Sequence, residues 1–171
     1  MANTFTLIAS TTLGAGGAAS IDFTSIPSTY TDLQILFSTR DNGGGPYNNL
    51  FVTFNGSTSG YSDRITYGTG SAVSTASNSS AAQIAFAYSD QAAATANTFS
   101  NGLIYIPNYA GSSYKSVSLD SVTENNATQS FTALAGGLWS NSAAINRVTL
   151  TAAGQTLVQY SSAYLYGVSN A

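Results

Sequence analysis

The sequence predicts an all-β protein, a single antiparallel sandwich or barrel, and three observations carry that expectation. Apolar residues recur at i, i+2 over short segments, which places them on one face of a strand. Clusters of Gly, Pro and Asn separate those segments at regular spacing. At 171 residues the chain has the length of one ordinary domain, enough to bury a core without covalent staples.

The alternation starts with Phe5 and Leu7, passes through Ile21 and Phe23, and continues with Leu33, Ile35 and Phe37. It resumes at Leu50, Val52 and Phe54, at Ile84, Phe86 and Tyr88, and at Val117 and Leu119. Val148 with Leu150, and then Val158, Tyr160, Ser162, Tyr164 and Tyr166, complete a set of roughly nine strands. The intervening stretches LGAGG, IPSTY, DNGGGPY, FNGSTSG, IPNYAG and AAGQ hold the residue types that reverse a chain. Asn42-Gly43, Asn55-Gly56 and Asn101-Gly102 suit type I′ hairpin turns. SDQAAATA, residues 89 to 96, reads as a brief helix capped by Ser89 or as a loop. GTGSAVSTASNSSAA, residues 68 to 82, is small and polar enough to read as a flexible surface loop within the single domain 1–171.

Composition narrows the setting. Only 6% of residues are charged, where roughly 25% is usual. The net charge is −3, and the cations are Arg40, Arg64, Lys115 and Arg147; so few cannot neutralise many phosphates, which argues against nucleic acid as a partner. The chain has no cysteine and no histidine. That removes disulfides, thiolate metal sites, the usual general base and the usual zinc ligand. The start, MANTFTLIASTTLGAGG, lacks the basic and continuous apolar regions of a signal peptide, and no stretch approaches the roughly 18 apolar residues of a membrane span. The expectation is a chain made in the cytoplasm, with no membrane partner.

Candidate chemistry is sparse. Asp22 and Asp32 flank the IPSTY turn, Asp120 and Glu124 lie four apart, and Asp63 adjoins Arg64. A glycosidase needs two carboxylates at a controlled separation in surroundings that raise one pKa, and nothing here supplies those surroundings. Turn acceptors, polar strand positions and a surface Asp63–Arg64 pair are the more economical readings. Asp41, Asn42, Asn48 and Asn49, or Asp120, Glu124, Asn125 and Asn126, could offer oxygen ligands to a structural calcium ion, but neither set has the helix-loop-helix spacing. No cofactor is expected and the chain reads as a non-enzyme. Tyrosines could form a sugar-stacking surface; in alternating strands they read instead as core or as a seam between subunits, with Tyr160, Tyr164 and Tyr166 on one face. Strand edges with so little charge invite pairing unless a neighbouring copy covers them, so low charge points to assembly.

Five stretches, TFTLIASTTLGAGGAASIDFTSIPSTYTDLQI, LFVTFNGSTSGYSDR, NGLIYIPNYAGSSYKSVSLDSVTENNA, LWSNSAAINRVTL and QYSSAYLYGV, carry a resemblance to a known family. In them the chain resembles the small structural proteins, capsid decoration or tail-associated, of tailed bacteriophages that infect cyanobacteria and other aquatic bacteria. The resemblance covers most of the chain and is least across residues 68 to 95. It implies a jelly-roll-like sandwich that is a repeated part of the virion, with Gly14, Gly16, Gly17, Pro27, Asn55, Gly56, Pro107 and Asn108 as turn and packing positions. The expected function is a capsid decoration or cement protein, whose partners are its own copies, a trimer by resemblance, and virion proteins such as the major capsid protein. Interface candidates are Tyr160, Tyr164, Tyr166, Arg40, Arg64 and Arg147. The alternative is a tail-fibre or receptor-binding module recognising cell-surface glycans; a polysaccharide-cleaving enzyme is a third.

Overall fold

In a computed structural model that describes residues 4–126 and 129–169, the chain is an antiparallel β-sandwich. The described residues form twelve strands: β1 (Phe5–Thr12), β2 (Ser20–Phe23), β3 (Asp32–Thr39), β4 (Tyr47–Phe54), β5 (Tyr61–Gly68), β6 (Val73–Ala81), β7 (Ile84–Asp90), β8 (Ser100–Ile106), β9 (Lys115–Val122), β10 (Thr132–Trp139), β11 (Val148–Ala152) and β12 (Ser162–Val168). Eight make one sheet in the order β1-β12-β3-β8-β9-β10-β5-β6, and four make the other in the order β2-β11-β4-β7. Strand β7 packs across β5, β9 and β10, and β2 packs against β12.

The alternation explains the core. Leu33, Ile35 and Phe37 of β3, Ile104 and Ile106 of β8, and Val117 and Leu119 of β9 face Ile21 and Phe23 of β2, Leu50, Val52 and Phe54 of β4, and Ile84 and Phe86 of β7; all are buried. Apolar burial at about 25 cal/mol per Å² makes this interior the main source of stability. Strands β5, β6, β8 and β10 escape the period-two reading. In β10 the inward positions are Ala133, Ala135, Gly137 and Trp139, too small on average to register as a hydrophobic face. Gly137 is small by necessity, since a Cβ there would lie 2.8 Å from Ile84.

Several expectations are corrected. Residues 68 to 82 are largely β6, hydrogen-bonded to β5 from Gly68↔Val73 onward; an edge strand is held by main-chain bonds that small polar residues do not obstruct. Residues 89 to 96 follow the loop alternative and not the helix, apart from Ser89 and Asp90, which end β7. Asn55 and Gly56 both have positive φ, 53° and 69°, and Ser57 N–H bonds the Phe54 carbonyl at 2.9 Å, the geometry of a type I′ turn. That turn passes the chain from the small sheet to the large one and makes no hairpin. Asn101-Gly102 lies within β8, where a Gly102 Cβ would sit 2.1 Å from the Asp120 carbonyl and 2.6 Å from the Phe37 ring. Its glycine serves close packing. The last strand begins at Ser162, because Tyr160 takes φ 71° in the turn before it.

Candidate interaction surface

The outer face of the large sheet is where polar residues would be expected, and much of it is apolar. Register puts Leu7 opposite Tyr166, and Tyr164 opposite Leu36, which in turn faces Leu103. The row continues through Asp120 to Leu134. Leu36 is 41% exposed, Tyr164 40% and Leu134 65%, with Phe5 and Leu7 more than half exposed at the β1 edge. Scattered exposed apolar residues are ordinary, whereas a row of them across neighbouring strands is a contiguous exposed apolar patch, interrupted here at Asp120.

Tyr164 and Tyr166 do share this face, on β12. Tyr160 does not join them: left-handed backbone removes it from the strand alternation and leaves it 67% exposed in the preceding turn. Leu36, Leu103 and Leu134 also belong to this face, although little in their local sequence sets them apart as surface residues. The available signal is an apolar residue out of phase, as at Leu36 between the core residues Ile35 and Phe37.

The cations are largely occupied within the fold. Arg40 donates from Nη1 to the carbonyls of Thr95 and Thr98 at 3.0 and 2.9 Å, and from Nη2 to the carbonyl of Gln91 at 2.6 Å, pinning the loop after β7. Those bonds give the guanidinium a role inside the fold. Lys115 is buried and donates to the carbonyls of Gly111 and Ser113; burial lowers its pKa. Arg147 grips Asp22, Nε to Oδ1 at 2.9 Å and Nη2 to Oδ2 at 2.6 Å, while the Thr149 hydroxyl donates to Oδ1. The Arg147 hydrogen bonds hold the Asp22 pKa below its ordinary value. Arg64 stands exposed on the outer face of β5, donating to the carbonyls of Asp63 and Asn78.

The acids do not converge. The expected surface pair of Asp63 and Arg64 is replaced by opposite orientations, because neighbours on a strand point to opposite faces. Asp63 turns inward, 2% exposed, and accepts from Asn78 Nδ2 at 2.8 Å and Ala85 N–H at 3.0 Å. Asp22 and Asp32 lie in different sheets, and Asp32 accepts from Asn108 N–H and the Tyr105 hydroxyl. Asp120 is on the exposed face of β9, and Glu124 accepts from Asn126 N–H and Ser130 in the following loop. Of the DNGGGPYNN residues, Asp41 Oδ1 accepts from Gly43 N–H and Gln91 Nε2, and Asn42 Oδ1 from Thr156 N–H. Asn125 donates to Asp90. Among the described residues, buried Asp41 Oδ2 and Asp90 Oδ2 have no hydrogen-bond partner, and the Asp41 N–H donates to the Asp90 carbonyl at 2.9 Å. No three potential metal ligands of acid, His or Cys type come together among the described residues.

One end of the sandwich carries a second feature. Tyr47, Tyr67, Tyr88 and Phe131 form an aromatic knot, with Phe131 4.4 Å from Tyr88 and 4.5 Å from Tyr47 between ring centroids. Desolvation, reinforced by Tyr67 and Tyr47, pushes the Tyr88 phenol up to about 12. Beside the knot lies an open recess of about 360 Å³, whose lining includes Tyr47, Tyr67, Ser71, Ser74 and Gln129. Among the described residues no helix is long and apolar enough to cross a membrane. Comparison with protein-family models, with curated proteins and with solved structures finds no match to this chain.

Proposed function

We propose that the chain is a non-enzymatic structural protein of a bacteriophage virion, acting as capsid decoration or cement and stabilising the particle through subunit contacts. The observation that carries the proposal is the apolar row on the outer face of the large sheet, Tyr164, Leu36 and Leu103 with Leu134 beyond. Burying it against neighbours releases water without needing charge pairs. That suits a chain in which 6% of residues are charged and several of those charges are spent inside the fold. The resemblance of its sequence to phage structural proteins supplies the setting: synthesis in the host cytoplasm, then incorporation into the virion. Its partners are copies of itself, a trimer as the resemblance implies, and the major capsid protein.

Electron microscopy of intact particles tests this directly, with the expected result being density for the chain on the capsid shell. Sedimentation of the purified protein provides the second arm. The oligomer should persist as salt rises, since screening weakens exposed charge contacts and leaves apolar burial intact. Absence from particles, or an assembly that dissolves in salt, overturns the reading. The aromatic recess favours a second reading, a receptor-binding module for neutral glycans, in which tyrosine faces stack on sugar and Ser71, Ser74 and Gln129 hydrogen-bond it. Density at the tail tip, with the shell bare, would select it.

A further inference from the structure

Among the described residues the sandwich has four edge strands: β1 and β6 in the large sheet, β2 and β7 in the small one. Three are obstructed. Strand β2 is four residues long and carries Asp22 under the Arg147 guanidinium. On β7, the Ala85 N–H is capped by the Asp63 carboxylate. The β1 ladder is broken by a register shift between Leu7 and Ala9. Short length, charge and bulges are the devices by which sheet edges are kept from pairing.

Strand β6 has none of these along most of its length. It runs nine residues, VSTASNSSA, without a charge or a proline, and all of it except Ser74 and Ala81 is exposed. Its ladder to β5 is regular from Val73 to Asn78, and the irregularity falls at the far end, where Ser80 has φ 54°. Its side chains contribute little burial, so main-chain bonds to β5 hold it, and among the described residues no strand pairs with its other edge.

We infer that β6 pairs antiparallel with β6 of a second copy, joining two large sheets into one continuous sheet across a two-fold axis. A second copy is the partner the chemistry fits. Every position from 73 to 81 is uncharged, so self-pairing sets no like charges opposite each other, while a charged foreign strand would gain nothing here. Ser, Thr, Ala and Asn side chains lose little rotamer freedom, and hydroxyls can bond across the strands. The inference rests on the reading that the chain works as repeated copies, which provides the second β6 at high local concentration. It adds a two-fold contact to the apolar-face contacts proposed above.

The symmetry makes a sharp test. In an antiparallel pair related by a two-fold axis perpendicular to the sheet, one residue must face its own copy. The chain has no cysteine, so single replacements at positions 74 to 78, Ser74→Cys through Asn78→Cys, report that residue without background. Mild oxidation should give a disulfide-linked dimer for at least one of them and none for Thr6→Cys on β1. The double variant Thr75→Lys with Ser77→Lys, on an exposed strand and checked for an unchanged circular-dichroism spectrum, should weaken self-association about tenfold or more, as like charges opposed across the joint do. A wild-type chain that stays monomeric, a lysine variant that sediments like wild type, or a β6 cysteine that links only to a β1 cysteine overturns the inference. Absence of the chain from purified particles alongside an intact β6 cross-link defeats the virion reading and leaves this one standing.

Discussion

The two edges of the small sheet are each closed by an aspartate, in opposite ways. At β2, Asp22 meets Arg147 in a bidentate ion pair whose side chains are 27% and 45% exposed. At β7, Asp63 reaches across from β5, 2% exposed, and binds the Ala85 N–H and the Asn78 amide with no cation in its hydrogen-bonding shell. Counting charges ranks the first as the stronger device. Burial reverses the order: water screens and replaces the exposed pair, whereas removing a carboxylate that is itself buried leaves the part-buried Ala85 N–H without its acceptor.

The largest effect should therefore come from Asp63→Ala. It leaves the part-buried Ala85 N–H without its acceptor while the exposed Asn78 amide turns to water, and unfolding in urea should show a loss of about 2 kcal/mol with an unchanged slope. A loss below about 1 kcal/mol would break the comparison, since that is the range of an exposed pair.

Tyr88 sharpens it by isolating burial from pairing. Its phenol pKa is pushed up to about 12, first by desolvation. A raised acid pKa means that the folded chain holds its proton after the unfolded chain has released one, so stability is full below the ordinary tyrosine pKa and falls as pH rises through about 12. Unfolding experiments across that window should show an alkaline loss of about 2 kcal/mol, reduced in Tyr88→Phe. An identical alkaline loss in the variant would assign it to other groups.

The smallest effect belongs to Asp22→Asn. The Asp22 pKa is lowered chiefly by the hydrogen bonds from Arg147. Its contribution is present above the ordinary aspartate pKa and disappears as pH falls through the depressed one. At neutral pH the variant should melt close to wild type, and the remaining difference should shrink with added salt and with acid, as read by thermal denaturation. A large drop at neutral pH would mean that the exposed pair matters as much as the buried one.

The outer face shows the same division between what is local and what is not. Tyr164 and Tyr166 can be placed on one face from spacing alone, and Tyr160 follows the same spacing yet leaves the strand because its φ is 71°. Leu36 reads as one more apolar residue between Ile35 and Phe37, and its exposure is decided by which side of β3 the small sheet covers. Strand β10 does not stand out in the sequence because its inward residues include Ala133, Ala135 and Gly137, the last kept small by Ile84 of β7.

By itself the sequence determined the class of fold, because period-two alternation and turn chemistry act over a few residues, and it determined the poverty of charge that makes apolar contacts the available kind. The tertiary structure alone decided that Asp63 and Arg64, neighbours in the chain, serve the interior and the surface respectively. It also decided that VSTASNSSA, with the composition of a loop, is a strand with an open edge. The reason is physical: a strand's hydrogen bonds and its choice of inner face are completed by residues far away in the chain, so neither can be read from the segment that needs them.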